Sequence, residues 1–184
     1  GDPDRAHIVP FSTTRLERDL ALRLGIPMYG ADPKFAALGT KSGGRALFAE
    51  AGVPCPEGRE GLRSRDDIVD AVLELVAARP GIESLVLKHD EGVSGYGNAV
   101  LDVRGLNGAG RARVEQRLSE LRPEDAHLSA ERFLERLAGG GIVEELVGAR
   151  ELRSPSVQMR VTPLGKVEQL STHDQLLGGA SGLT

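Results

Sequence analysis

Three segments of the chain hold residue types that could act together on one ligand, and they come in a fixed order. Gly39-Thr40-Lys41 stands eleven residues before Gly52-Val53-Pro54; Leu85-Val86-Leu87-Lys88 runs into Gly92-Val93-Ser94-Gly95-Tyr96-Gly97; Ile142-Val143-Glu144-Glu145-Leu146-Val147 follows, with Glu151 beyond it. A lysine at the end of a strand presents a compact positive charge to phosphate. Glycines after it allow backbone N–H groups to approach phosphate oxygens closely, because no Cβ stands in the way. A later apolar strand ending in acidic residues offers a backbone edge to adenine and carboxylates to ribose hydroxyls. Each segment alone is common. The ordered trio points to a nucleotide site.

The elements that must position these residues alternate between helix and strand. Leu16, Leu20 and Leu24 share one face of a helix expected over 14–24, stopped by Gly25. A second helix is expected over 41–51, and a third over 66–78, with Ile68, Val69, Val72, Leu75 and Val76 on one side. Strands are expected over 84–88 and 99–103, forming the walls of the glycine loop. After a Gly-rich turn at 104–110, helices are expected over 111–121 and 129–137. Gly139-Gly140-Gly141 precedes a strand rather than opening a helix, which is the wrong context for a phosphate cradle; it reads as a helix stop and turn. A hairpin over 157–162 and 166–171 turns around Pro163-Leu164-Gly165.

Composition excludes several function classes. The chain has 184 residues, 40% of them hydrophobic, which is enough for a sizeable core. Its net charge is −4 and only 3% of residues are aromatic, so neither the basic stripe nor the stacking platform of a nucleic-acid binder is present. The apolar runs are too short to span a bilayer, so no membrane association is expected. Cys55, the single cysteine, allows no internal disulfide and fits a cytoplasmic protein. His7, His89, His127 and His173 lack the spacing of metal ligands.

The stretch 39–54, the Lys88 strand with its glycine loop, and Glu144 to Val147 together resemble the ATP-grasp superfamily over most of the chain, from about Ile26 onward. The resemblance implies an α/β (α+β) fold of two lobes with ATP between them. Residues 1–32 would end a preceding α/β domain, with 26–30 as its last strand; 33–144 would form the smaller lobe and 145–184 the start of the larger. Lys41 takes the place of the first phosphate-contacting lysine, and Lys88 that of the second, which contacts the adenine edge and α-phosphate. The loop 90–98, with Gly92, Ser94, Gly95 and Gly97, matches the lid over the phosphates. Glu144 faces the exocyclic amine of adenine, with the backbone of Glu145, Leu146 and Val147 along the ring edge, and Glu151 matches the ribose-binding glutamate.

Ser154-Pro155-Ser156-Val157-Gln158-Met159-Arg160 and Leu170-Ser171-Thr172-His173-Asp174-Gln175 resemble more narrowly the carboxylate-amine ligases related to the pheganomycin-type peptide ligase. On that resemblance Arg160, His173, Asp174 and Gln175 position substrate or phosphate. Adjacent strand residues face opposite ways, so His173 and Asp174 cannot form a simple dyad. The implied activity is ATP-dependent, ADP-forming amide synthesis from a small acid and an amine, such as amino acids or peptides, through an acyl phosphate. The implied cofactors are ATP and Mg²⁺. The family's magnesium ligands are expected beyond Thr184, so this stretch alone is expected to be inactive. Two alternatives stay open: an ATP-binding module without ligase activity, and a phosphotransferase acting on a small acceptor. Homo-oligomerisation is also left open.

Overall fold

The computed structural model describes residues 5–93, 95–148, 153–176 and 178. It divides into two compact units, Gly1–Cys55 and Pro56–Thr184.

In the first unit, helix α1 (Arg15–Leu24) opens on a capping box: the Thr14 hydroxyl accepts from the Leu16 N–H, and the Glu17 carboxylate accepts from the Thr14 N–H. Gly25 closes it at φ 64°, a conformation that glycine adopts without steric cost. The segment expected as a strand over 26–30 makes a single parallel bridge between Ile8 and Met28. Pro27 and Pro10, which lack N–H donors, deny this pairing a longer ladder. A 3-10 helix at Pro33–Gly39 was not expected, although its signal stands in the sequence: the Asp32 side chain caps the Lys34 N–H, and Pro33 takes the first helical position. Helix α2 (Lys41–Glu50) is capped by Thr40, whose hydroxyl accepts from the Gly43 N–H. A Cβ on Gly43 would lie 2.0 Å from the Ala37 carbonyl, so the approach of α2 to the 3-10 helix requires glycine there. Ala21 is the only buried residue described in this unit.

The second unit contains a five-stranded antiparallel sheet of order β1-β5-β2-β3-β4, with β1 Gly58–Arg59, β2 Ser84–His89, β3 Asn98–Asp102, β4 Arg122–Pro123 and β5 Gly141–Glu145. Helices α3 (Arg65–Ala78), α4 (Arg111–Ser119) and α5 (Ala130–Leu137) accompany it. Ser64 and Ser129 cap α3 and α5 through their hydroxyls. Ile68, Val69, Val72 and Leu75 of α3, Val114 and Leu118 of α4, and Phe133, Leu134 and Leu137 of α5 form one core cluster with strand residues Leu85, Leu87, Ala99, Leu101 and Val143. Helix α4 ends two residues before its expected limit because Arg122 and Pro123 are drawn into the sheet against Val100 and Ala99.

A separate two-stranded sheet pairs β6 (Ser154–Val161) with β7 (Val167–Gln175). It extends further than the hairpin expected from the sequence and turns at Gly165, φ 76°. No helix among the described residues is long and apolar enough to cross a membrane.

Phe133 is fully buried in the core cluster, so Phe133→Ala should lower the unfolding free energy by about 3–5 kcal/mol. Leu164→Ala, at a position 96% exposed in the hairpin turn, should change it by less than about 0.5 kcal/mol. Chemical denaturation midpoints read the difference directly.

Candidate functional site

Alternation along a strand gives the five-stranded sheet two unlike faces. Leu85, Leu87, Leu101, Ala99 and Val143 enter the helical core. Val86, Lys88, Asn98, Val100, Ile142 and Glu144 share the other face, because Val86 pairs with Val100 and Glu144, and Lys88 pairs with Asn98 and Ile142. On that face the Lys88 ammonium donates to a Glu144 carboxylate oxygen at 2.6 Å. The Glu144 side chain is 9% exposed and that of Lys88 25%. The pair is diagonal, with Lys88 two residues from Val86, the position directly opposite Glu144, a span that a long side chain reaches easily. Gly58, without a side chain, is the register partner of Glu144 on β1. Sequence reasoning named Lys88 and Glu144 separately, and the register brings them together. It also brings Asn98, 9% exposed and directly opposite Lys88, a residue that the sequence reading placed only at the end of the glycine loop.

The glycine loop leaves β2 and returns to β3 through a narrow neck. The Gly97 carbonyl accepts from the His89 N–H at 2.9 Å, and the Gly92 N–H donates to the His89 carbonyl at 3.1 Å. A Cβ on Gly97 would lie 2.6 Å from the Gly92 Cα, so the two glycines are required by their mutual approach. At Gly95 the φ of 78° lets the chain turn, and its carbonyl accepts from the Asn98 N–H. The Asp90 N–H donates to the Gly140 carbonyl, tying the loop base to the glycine triplet. That triplet is a helix stop and turn as expected, and Gly141 opens β5 where a Cβ would lie 2.3 Å from Leu137 Cδ1.

His89, missed as a site neighbour, pins the neck from the helical side. Its ring stacks on Phe133 with centroids 4.3 Å apart, and its Nε2 lies 3.1 Å from the Phe133 carbonyl oxygen. An Nε2–H donor satisfies that contact. Burial is the main cause that lowers the imidazole pKa below its ordinary 6.5; the positive charge of Arg136 adds to it, and the Phe133 carbonyl opposes it. The signal available in the sequence was its place one residue after the strand-end lysine, with alternation sending it to the core side.

At the end of β5, the Glu145 N–H donates to the Glu57 carbonyl at 2.8 Å, and just past it the Leu146 N–H donates to the Ser84 carbonyl at 3.1 Å. The Glu145 carboxylate pairs with Arg79. Leu146 lines two clefts: one of about 530 Å³ with Val100, Asp102, Arg117 and Arg122, and one of about 300 Å³ with Ser84, Glu145 and Gly148. Neither is lined by Lys88. Val147 is half exposed.

The remaining expected site residues lie on other elements or outside the described residues. Lys41, half-buried, is the first residue of α2 in the N-terminal unit. Arg160 lies opposite Glu168 in the hairpin and donates to its carboxylate at 2.7 Å, which holds the Glu168 pKa below the usual range. His173 lies opposite Ser156, and its Nε2 is 2.8 Å from the Ser171 hydroxyl; Asp174 lies opposite Pro155, on the other face. The Gln175 amide oxygen accepts from the Ser154 hydroxyl. Ser94 and Glu151 lie outside the described residues. Among the described residues no three Asp, Glu, His or Cys side chains converge.

The family profile described as IQCH-like, ATP-grasp matches residues 33–137. IQ motif-containing protein H of Danio rerio is 30% identical over 199 residues, covering 90% of this chain and 19% of that protein. L-propargylglycine–L-glutamate ligase of Streptantibioticus cattleyicolor is 32% identical over 178 residues, covering 94% of this chain and 35% of that protein. The chain thus spans about a fifth to a third of the length of these relatives. Among solved structures, the D-alanine-D-alanine ligase from Coxiella burnetii shares the fold with a TM-score of 0.61 at 13% identity, covering 92% of this chain and 44% of that one.

Because the folded state holds His89 neutral, the unfolded chain binds more protons between the folded pKa and 6.5. The contribution of this group to stability is complete above pH 6.5 and declines as pH falls toward the folded value. His89→Gln should flatten the slope of unfolding free energy against pH in that window. Denaturation midpoints taken between about pH 5 and 8 would show it.

Proposed function

The chain belongs to the IQCH-like ATP-grasp family, and from that membership we propose that it is part of an ATP-dependent carboxylate-amine ligase that forms an amide through an acyl phosphate. The observation that carries this reading is the ion-paired Lys88 on the polar face of the sheet, at the point where β2 enters the glycine loop and one strand away from the segment 145–148. A nucleotide laid along this face meets three kinds of group in the order its own parts require. The clefts at Leu146 offer an apolar edge to the base, Lys88 offers charge to the phosphates, and the loop 90–97 offers backbone N–H groups beyond it. Lys41 supplies a second phosphate contact on this reading. Glu151 would hold the ribose, and Arg160, His173, Asp174 and Gln175 would position the acid or the transferring phosphate. The lobe limits at 33 and 144 belong to the same proposal, as does a cytoplasmic location.

In the first step a carboxylate oxygen of the acid attacks the γ-phosphorus of ATP, and the bond to the β–γ bridging oxygen breaks, so that ADP leaves with the electron pair. Two anions must approach for this to happen, and positive charge at the transferring phosphate lowers that barrier. In the second step an amine nitrogen attacks the acyl carbon, inorganic phosphate departs with the C–O electron pair, and the nitrogen loses a proton. Water would hydrolyse the acyl phosphate between the two steps. A loop hinged at the Gly92–Gly97 neck is suited to excluding it. The amino-acid ligase relative supports small acids and amines as the substrate class.

Product analysis tests the reaction. With a panel of amino acids, the whole protein should release ADP and phosphate from ATP only when an acid is present, and form an amide when an amine is added. AMP with pyrophosphate, or a phosphorylated alcohol, would refute the ligase reading. ADP at 100 times its dissociation constant should stabilise the protein by about 2.7 kcal/mol. Lys88→Ala should remove most of that shift, since a charged hydrogen bond is worth roughly 1.5–3 kcal/mol.

A further inference from the structure

Lys88 carries four rotatable bonds, and a lysine confined to one pose gives up about 2 kcal/mol of rotamer freedom. Something must bear that cost before phosphate arrives, or the cost is taken out of binding. The sheet supplies a fixed partner. Glu144 sits on β5, an interior strand flanked by β1 and β2, with its carboxylate 9% exposed and 2.6 Å from the Lys88 ammonium. A carboxylate on an interior strand has little room to move, whereas the lysine stem does. The ammonium has three N–H donors, and the carboxylate takes one of them in this geometry.

We propose that Glu144 is a positioning residue for Lys88: it holds the ammonium by one N–H and leaves the other two aimed at the phosphates of a nucleotide. This rests on the reading of the face as a nucleotide site, and goes beyond it by giving Glu144 a task distinct from meeting the adenine amine. The two tasks leave different signatures. A carboxylate that serves the base matters equally to adenosine and to ADP. A carboxylate that serves the lysine matters only to the ligand that has phosphates. Asn98, opposite Lys88 and 9% exposed, limits the space into which a released lysine could swing on that side.

The experiment is a double-mutant cycle read by calorimetric titration with ADP and with adenosine on the protein, Glu144→Gln, Lys88→Met and the double variant. Glu144→Gln should weaken ADP about ten-fold, the equivalent of 1.4 kcal/mol, and adenosine by less than about three-fold. In the Lys88→Met background the same change should have no further effect on ADP. The double variant also guards against misfolding, because replacing both partners of a buried pair is tolerated better than removing one. Glu144→Asp, which keeps the charge but withdraws it by one methylene, should give an intermediate loss for ADP alone. Equal losses for adenosine and ADP, or losses that multiply in the double variant, would overturn the proposal. If the unsubstituted protein bound neither ligand, the nucleotide reading itself would fall, and this assignment with it.

Discussion

The register between β2 and β5 is the constraint on which the site depends. With Leu87 opposite Val143, the leucine and valine enter the helical core while Lys88 and Glu144 are sent to the other face. A shift of one residue in either strand would reverse that strand's assignment, placing an ammonium or a carboxylate among the helices and Leu87 or Val143 outside. Burying an unpaired charge in such a core costs several kcal/mol. The apolar residues therefore lock the chemistry in place: the same alternation that satisfies the core decides where the lysine points. Pairing on both sides of β5, with β1 and β2, removes the freedom to slip that an edge strand would keep.

The glycines near the site serve different needs, and only their surroundings tell them apart. Gly92 and Gly97 are required by their contact across the loop neck, Gly141 by the Leu137 side chain and the Lys88 carbonyl beside it, and Gly95 by a positive φ. The loop is consequently tied at its base to His89 and Gly140 while its tip carries the turn. Such a construction keeps the strand ends, where Lys88 stands, in register.

Much of the fold was legible because it is written in short-range pattern. The 3.6-residue spacing of Ile68, Val69, Val72 and Leu75 gave α3 within a residue, and Leu85-Val86-Leu87 gave β2. The Gly-rich turn between two β runs gave the loop. What escaped is long-range or depends on a single bond. Gly58–Arg59 and Arg122–Pro123 are two-residue strands whose only signal is their partner, far away in the chain. The strand expected over 26–30 reduced to one bridge, because apolar residues next to prolines resemble a strand but cannot build a ladder. Of the site, the sequence named Lys88 and Glu144 through the resemblance but not their pairing, since a diagonal contact requires a register that no single segment encodes. His89 and Asn98 were missed for the same reason. Both are unremarkable until Phe133 and Lys88 are brought against them.

On the proposed function, the face bearing Lys88 and Glu144, with the segment 145–148 beside it, receives a nucleotide. The most direct measurement is photolabelling of the protein with 2-azido-ADP, followed by peptide mapping with and without excess ADP. The account predicts ADP-protected label on peptides spanning residues 84–98 and 141–148. Label confined to residues 65–78, on the helical side of the sheet, or label that excess ADP fails to displace, would contradict it.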